Sequence, residues 1–137
     1  MNRTDFIKLT KIRLAESKIL ISRKKYSGAY YLCGYVIEYA LKAYFAKQIK
    51  KSEFPDREAV NKMYQHSPAD LMKASGLQKK FEDQLKVDKI FAVYWNTVKD
   101  WSEKARYEIH SDKEAKDLYK AIIDPSHGVL LWIEKYL

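Results

Sequence analysis

Residues 29–51 read AYYLCGYVIEYALKAYFAKQIKK, and this stretch decides the fold. It is the most apolar segment of the chain, and its apolar residues recur at the three- and four-residue intervals of an α-helix. Tyrosines and Ile37 extend the apolar character around most of the helix surface. Because a helix that is apolar on nearly every side is buried on several sides, we predict a central helix over residues 28–51.

Gly34 lies in the middle of this predicted helix. Glycine in a helix interior is less favourable than alanine by about 1 kcal/mol, so its presence needs a compensating reason. We expect the missing side chain at Gly34 to let a neighbouring helix approach closely.

Local signals place further helices on both sides of the central one. Ser67 is a predicted N-cap, Pro68 occupies the first helical position and Gly76 follows the last turn. Ser111 and Glu114 have the spacing of a capping box. We predict the remaining helices over residues 4–24, capped by Thr4, and over residues 67–75, 87–101 and 112–137.

No segment alternates polar and apolar residues as a strand does, and four glycines and three prolines leave the chain rich in helix formers. The apolar stripe of the last helix continues across residues 124–128, DPSHG, so we expect this helix to be kinked or broken near Pro125. The prediction is a single all-α domain over residues 1–137, an antiparallel up-and-down bundle of about five helices. Residues 52–65 are predicted to be a connection, and residues 77–85 can form another short helix.

The charge of the chain is +8 and is unevenly distributed. Residues 1–25 carry eight Lys/Arg against two Asp/Glu, a net +6, which can attract nucleic acid or an acidic protein or can simply keep the surface solvated. The single cysteine, Cys33, excludes an internal disulfide and favours a cytoplasmic location. No apolar run has the length of a membrane span, and no His, Cys or acidic residues show metal-ligand spacing. We therefore expect no membrane contact, no metal and no cofactor.

Three segments resemble HEPN domains, the higher eukaryotes and prokaryotes nucleotide-binding family. They are GAYYLCGYVIEYALKAYF (28–45), HSPADLMKASGL (66–77) and WSEKARYEIH (101–110), and they occur in the order of that family. The resemblance implies an antiparallel helical bundle, assembly as a homodimer, and nucleotide or RNA binding. It also implies a nucleotidyltransferase as a partner protein, in a toxin–antitoxin or defence system.

Many HEPN domains are metal-independent ribonucleases with an arginine, four to six further residues, and then a histidine. The resemblance places this pair at Arg106 and His110, where the guanidinium would hold the scissile phosphate and the imidazole would move a proton. Here three residues intervene, and Tyr107 stands where the family often has a polar residue. The alternative is that Arg106 pairs with an acid such as Glu103 or Glu108 and that Tyr107 packs under the bundle.

Other candidate residues lie on the central helix and before the helix at 67–75. Glu38 and Lys42 have the spacing of an intrahelical ion pair, which can be structural or can face a ligand or dimer partner. Tyr31, Tyr35 and Tyr39 repeat every four residues and can form core, interface or a base-stacking surface. The candidates for ligand binding or an interface are Glu38, Lys42, Tyr35, Tyr107 and His66, which can instead be a structural hydrogen bonder.

These observations leave two functional hypotheses. The first is a non-catalytic HEPN-like module that binds a nucleotide, nucleic acid or a nucleotidyltransferase. The second is a metal-independent endoribonuclease of the toxin type that uses Arg106 and His110.

Overall fold

The computed structural model describes residues 1–49 and 53–137, and within these ranges it contains eight α-helices, one short 3-10 helix and no strand. The helices are α1 (Arg3–Ser22), α2 (Tyr26–Gln48), α3 (Arg57–Lys62), α4 (Pro68–Ser75), α5 (Gln78–Val87), α6 (Lys89–Lys99), α7 (Asp112–Ile123) and α8 (Val129–Glu134). The 3-10 helix spans Glu103–Tyr107. The all-α prediction is therefore confirmed. No helix in the described parts of the chain is long and apolar enough to cross a membrane.

The prediction of about five helices is wrong, since the described residues contain eight. One addition is α3, which forms in the predicted connection because the Asp56 side chain caps it, accepting the Glu58 backbone N–H at 3.2 Å. A second is α5, the optional short helix. The helix predicted over residues 28–51 extends to Gln48 in the structure, and its predicted end at residue 51 lies outside the described residues.

The third addition arises because the last predicted helix is broken and not merely kinked at Pro125. Asp124 ends α7, and its side chain accepts the backbone N–H groups of Ser126 at 3.2 Å and His127 at 2.8 Å. These bonds close a turn that a continuing helix could not form. A Cβ on Gly128 would lie 2.5 Å from the Asp124 carbonyl oxygen, so the turn requires glycine there. The apolar stripe nevertheless stays buried on both sides of the break.

The helix caps follow the sequence signals with one exception. Ser67 accepts the Asp70 backbone N–H, Gly76 adopts a left-handed conformation at φ 98°, and Ser111 forms the predicted capping box. Thr4 is not the cap of α1. Asn2 caps this helix instead, in a capping box with the residue three positions later, because helix α1 begins one residue earlier than predicted.

Helix α2 is the central element, as predicted. It packs against α1, α4, α7, α8 and the 3-10 helix. Its buried side chains occupy several faces, and burial of each large aliphatic side chain contributes about 1.5–3 kcal/mol. The largest fully buried aliphatic side chains of α2 are Ile37, Leu41 and Val36, and the carboxylate Glu38 is buried among them.

Gly34 makes room for an indole ring and not for a helix backbone. A Cβ built on Gly34 would lie 1.9–2.3 Å from ring atoms of Trp101, so the ring occupies the volume of the missing side chain. Trp101 lies two residues after the end of α6 and is almost fully buried. This contact holds the start of the 101–110 segment against the middle of α2.

We expect Gly34→Ala to destabilise the protein by about 1–3 kcal/mol, because the new methyl group overlaps the Trp101 ring. Gly28→Ala is the matched control on the same helix, since its Cβ would meet only Leu20 Cδ1 at 3.5 Å. That control should gain up to about 1 kcal/mol from helix propensity. Urea unfolding followed by circular dichroism measures both changes. Equal effects of the two substitutions would contradict the Gly34–Trp101 contact.

Candidate functional site

Glu38 is a carboxylate buried in the middle of α2, with only 2 % of its side chain exposed. Lys42 Nζ lies 3.2 Å from one of its oxygens, which confirms the predicted pairing one helical turn later. His66 Nδ1 lies 2.7 Å from the other oxygen. A buried charge needs partners of this kind, because removal from water costs several kcal/mol. Each oxygen of the Glu38 carboxylate therefore has a partner, Lys42 for one and His66 for the other.

His66 joins three segments of the chain. Its Nδ1 faces Glu38 on α2, and its Nε2 lies 3.1 Å from Glu103 Oε2 in the 3-10 helix. His66 itself stands two residues before α4. The His66 ring therefore bridges a carboxylate of α2 and a carboxylate of the 3-10 helix.

Tyr31, Tyr35 and Tyr39 form a half-buried tyrosine ladder along α2. The hydroxyl oxygens of Tyr31 and Tyr35 are 3.2 Å apart, and the ring centroids of Tyr35 and Tyr39 are 5.6 Å apart. Tyr35 also lies edge-on to the His66 ring at 6.1 Å. Burial, and next the Tyr31 hydroxyl, raise the pKa of Tyr35, so its hydroxyl stays protonated and can donate at neutral pH. The ladder therefore borders the Glu38–His66 cluster.

A guanidinium group stands near each end of the tyrosine ladder. Tyr107 raises the pKa of Arg106, and the neighbouring Tyr31 adds to that rise. The Arg106 guanidinium lies 4.8 Å from the centroid of the Tyr107 ring and is exposed. At the other end, burial lowers the pKa of Arg13, but Glu16 and Tyr39 outweigh it and the net shift is upward. The two arginines differ in their partners, since Arg106 lies over the exposed Tyr107 ring and Arg13 Nη1 is paired with Glu16 Oε1 at 2.6 Å.

His110 is enclosed by its neighbours, and its side chain is 10 % exposed. Its Nδ1 lies 2.9 Å from Glu114 Oε2, and its Nε2 lies 3.2 Å from Glu108 Oε1. The ring stacks on Tyr30 with a centroid distance of 3.7 Å. Its backbone N–H donates to the Ser27 hydroxyl at 2.9 Å. Each imidazole nitrogen of His110 therefore faces a carboxylate in this arrangement.

Arg106 and His110 do not lie on one helix. The 3-10 helix ends at Tyr107, and Glu108 is extended, so the four-residue step that aligns side chains on an α-helix does not apply. The contacts of the alternative prediction are not formed. Glu103 pairs with His66 and Glu108 with His110, while the Tyr107 side chain is 79 % exposed and does not pack under the bundle.

The structure brings together four of the five predicted ligand or interface residues, namely Glu38, Lys42, Tyr35 and His66. Tyr107 lies apart from them, against Arg106. Sequence reasoning missed two participants, Glu103 and Arg13, because no local pattern marks a contact between distant segments. Within residues 1–49 and 53–137, no His, Cys, Asp or Glu side chains cluster in a way that could hold a metal ion.

The assembled site can stack a planar ring against tyrosines and hold an anion with arginine. Its histidines are already paired with carboxylates. Comparisons of the chain with protein-family models, with curated proteins and with solved structures give no match.

The pairing of His110 gives a pH prediction. The hydrogen bond from His110 lowers the pKa of Glu114 below its usual value, assisted by Ser111. A carboxyl whose pKa is lowered by folding stabilises the protein above its unfolded-state pKa, and this stabilisation is lost as the pH falls through its folded-state pKa.

We expect His110→Ala to raise the Glu114 pKa in a carboxyl-carbon NMR titration. Asp124 is the internal control, since the backbone N–H of His127 is the main cause of its own lowered pKa. Equal changes at both carboxyls would contradict the pairing.

Proposed function

We propose that this chain is a HEPN-like module that binds a nucleotide or nucleic acid without cleaving it. The observation that carries the proposal is the half-buried tyrosine ladder with the exposed Arg106, which lies over the Tyr107 ring, near one end. The sequence resemblance supports the same class of ligand, and the net charge of +8 favours a polyanion.

The ladder has dimensions and chemistry that suit single-stranded nucleic acid. Residues 31 and 39 are eight positions apart, which spans roughly 12 Å along an α-helix. At about 3.4 Å for each nucleotide step, that length accommodates roughly three bases. Tyrosine faces stack bases of any sequence, and an arginine guanidinium matches a phosphate with two parallel hydrogen bonds. The site therefore favours binding that depends little on sequence.

The environment of His110 supports binding without cleavage. A histidine that serves as general base must reach the proton it removes. Here each ring nitrogen faces a carboxylate of Glu108 or Glu114, and Tyr30 covers one face of the ring. Those two carboxylates also repel the phosphate of an RNA backbone.

The proposal extends to partners on the strength of the resemblance alone. A nucleotidyltransferase would be the partner protein, in a toxin–antitoxin or defence system located in the cytoplasm. The chain would form a homodimer. The helices of each chain would form an antiparallel bundle.

Arg106→Gln should weaken binding of fluorescein-labelled decauridylate, and of ATP as a competitor, by about tenfold, the effect of losing one hydrogen bond to a charged group. Lys79→Gln removes the same charge from an exposed position on α5 and should change the affinity by less than about twofold. Fluorescence anisotropy at one fixed salt concentration measures both. Equal losses in the two variants, or no binding by the parent, would refute the proposal.

The alternative function is a metal-independent endoribonuclease, and one observation favours it. Arg106 is exposed and available to a phosphate at the position where the resembled family keeps its catalytic arginine. Incubation of RNA with the protein in EDTA decides between the two. We expect intact RNA on a denaturing gel. Cleavage that both Arg106→Ala and His110→Ala abolish would establish the nuclease and overturn the binding-only proposal.

A further inference from the structure

A second feature lies away from the tyrosine ladder, between the start of α1, the end of α2 and helix α3. It is a cavity of about 320 Å³, within the size range of small-molecule pockets. Its lining is mostly apolar. The lining residues that matter below are Met1, Phe6, Lys42, Phe45, Val60 and Met63.

Among the lining residues that the structure describes, Lys42 has the one charged side chain. Its side chain is 14 % exposed, and its Nζ donates to Glu38 Oε2 at 3.2 Å. A lysine ammonium has three N–H donors. Within the described ranges, no other acceptor lies within hydrogen-bonding distance of this nitrogen, so two donors remain for a ligand.

The charges around Lys42 limit what the ligand can be. A cationic ligand would be repelled by Lys42, and a purely apolar ligand would leave its free donors unused. Glu38 keeps His66 as a second partner, so Lys42 can share its charge with one additional carboxylate. A dianion would place a second negative charge near Glu38 without a partner.

We propose that the cavity binds an amphipathic monocarboxylate. The apolar body of the ligand fills the space between Phe6, Phe45 and Val60, and its carboxylate accepts hydrogen bonds from Lys42 Nζ. The lining of this site differs from the nucleotide-binding surface, because Arg106 and the tyrosines of the ladder do not line the cavity. The two are neighbours, since Phe6 of the lining stacks on Tyr39 with ring centroids 6.3 Å apart.

Methionine methyl groups report on the site directly. The chain has three methionines, of which Met1 and Met63 line the cavity and Met72 is fully buried elsewhere in the core. The parent protein, labelled with carbon-13 at the methionine methyl groups, is titrated with octanoate. We expect saturable shifts at Met1 and Met63 and none at Met72. Absence of shifts at Met1 and Met63 up to millimolar octanoate sinks the proposal, as does a matching shift at Met72, which would indicate disruption of the core.

Headgroup controls test the role of Lys42. In the parent, octanoate should bind at least tenfold more tightly than 1-octanol, and octylamine should bind more weakly still. Lys42→Met should weaken octanoate about tenfold or more and change 1-octanol by less than about threefold. Lys62→Met, at a position whose side chain is 63 % exposed on α3 and outside the cavity, should change neither. An unshifted Met72 signal verifies that each variant is folded.

A variant that fills the cavity gives an independent check. Val60→Trp places a large ring where the apolar body of the ligand would lie, so octanoate and 1-octanol should both lose their effect on Met63. Retention of octanoate binding in this variant would overturn the location of the site. Equal parent affinities for octanoate and 1-octanol would overturn its charge selectivity.

Discussion

The enclosure of α2 is the constraint on which the other features depend. A helix that is apolar on nearly every face cannot remain against water, so α1, α4, α7, α8 and the 3-10 helix all pack against it. Enclosure also removes Glu38 from solvent, and a buried carboxylate must be compensated. The chain meets this requirement with Lys42 from the same helix and His66 from a distant loop. The polar cluster is thus a consequence of hydrophobic burial.

The same arrangement occurs twice around α2. His66 lies between Glu38 and Glu103, and His110 lies between Glu108 and Glu114. Each histidine also contacts a tyrosine of α2, Tyr35 for His66 and Tyr30 for His110. Both histidines therefore fasten a connecting segment to the central helix. In both places the imidazole bridges two carboxylates.

The fold class, the central helix and most caps were predictable because they depend on local physics. Apolar periodicity identified α2, and the Ser67 and Ser111 signals gave correct helix starts. A break near Pro125 was one of the two predicted outcomes, but its cause was not predicted, since the Asp124 side chain ends the helix while the apolar stripe continues in phase. Part of the site was predictable for the same reason: Glu38 and Lys42 are neighbours on one helix. The contact of His66 with Glu103 was not, because 37 positions separate them in the sequence.

The tyrosine ladder has a consequence for the thermodynamics of any ligand that lies on it. Tyr31, Tyr35 and Tyr39 project from a single helix that the core already fixes, and their rings contact one another. The conformational entropy of these side chains is therefore lost during folding and not during association. Arg106 is exposed, so ordering its side chain on an anion would cost conformational entropy at the time of association. A ring stacked on the tyrosines would carry no such cost, because folding has already ordered them.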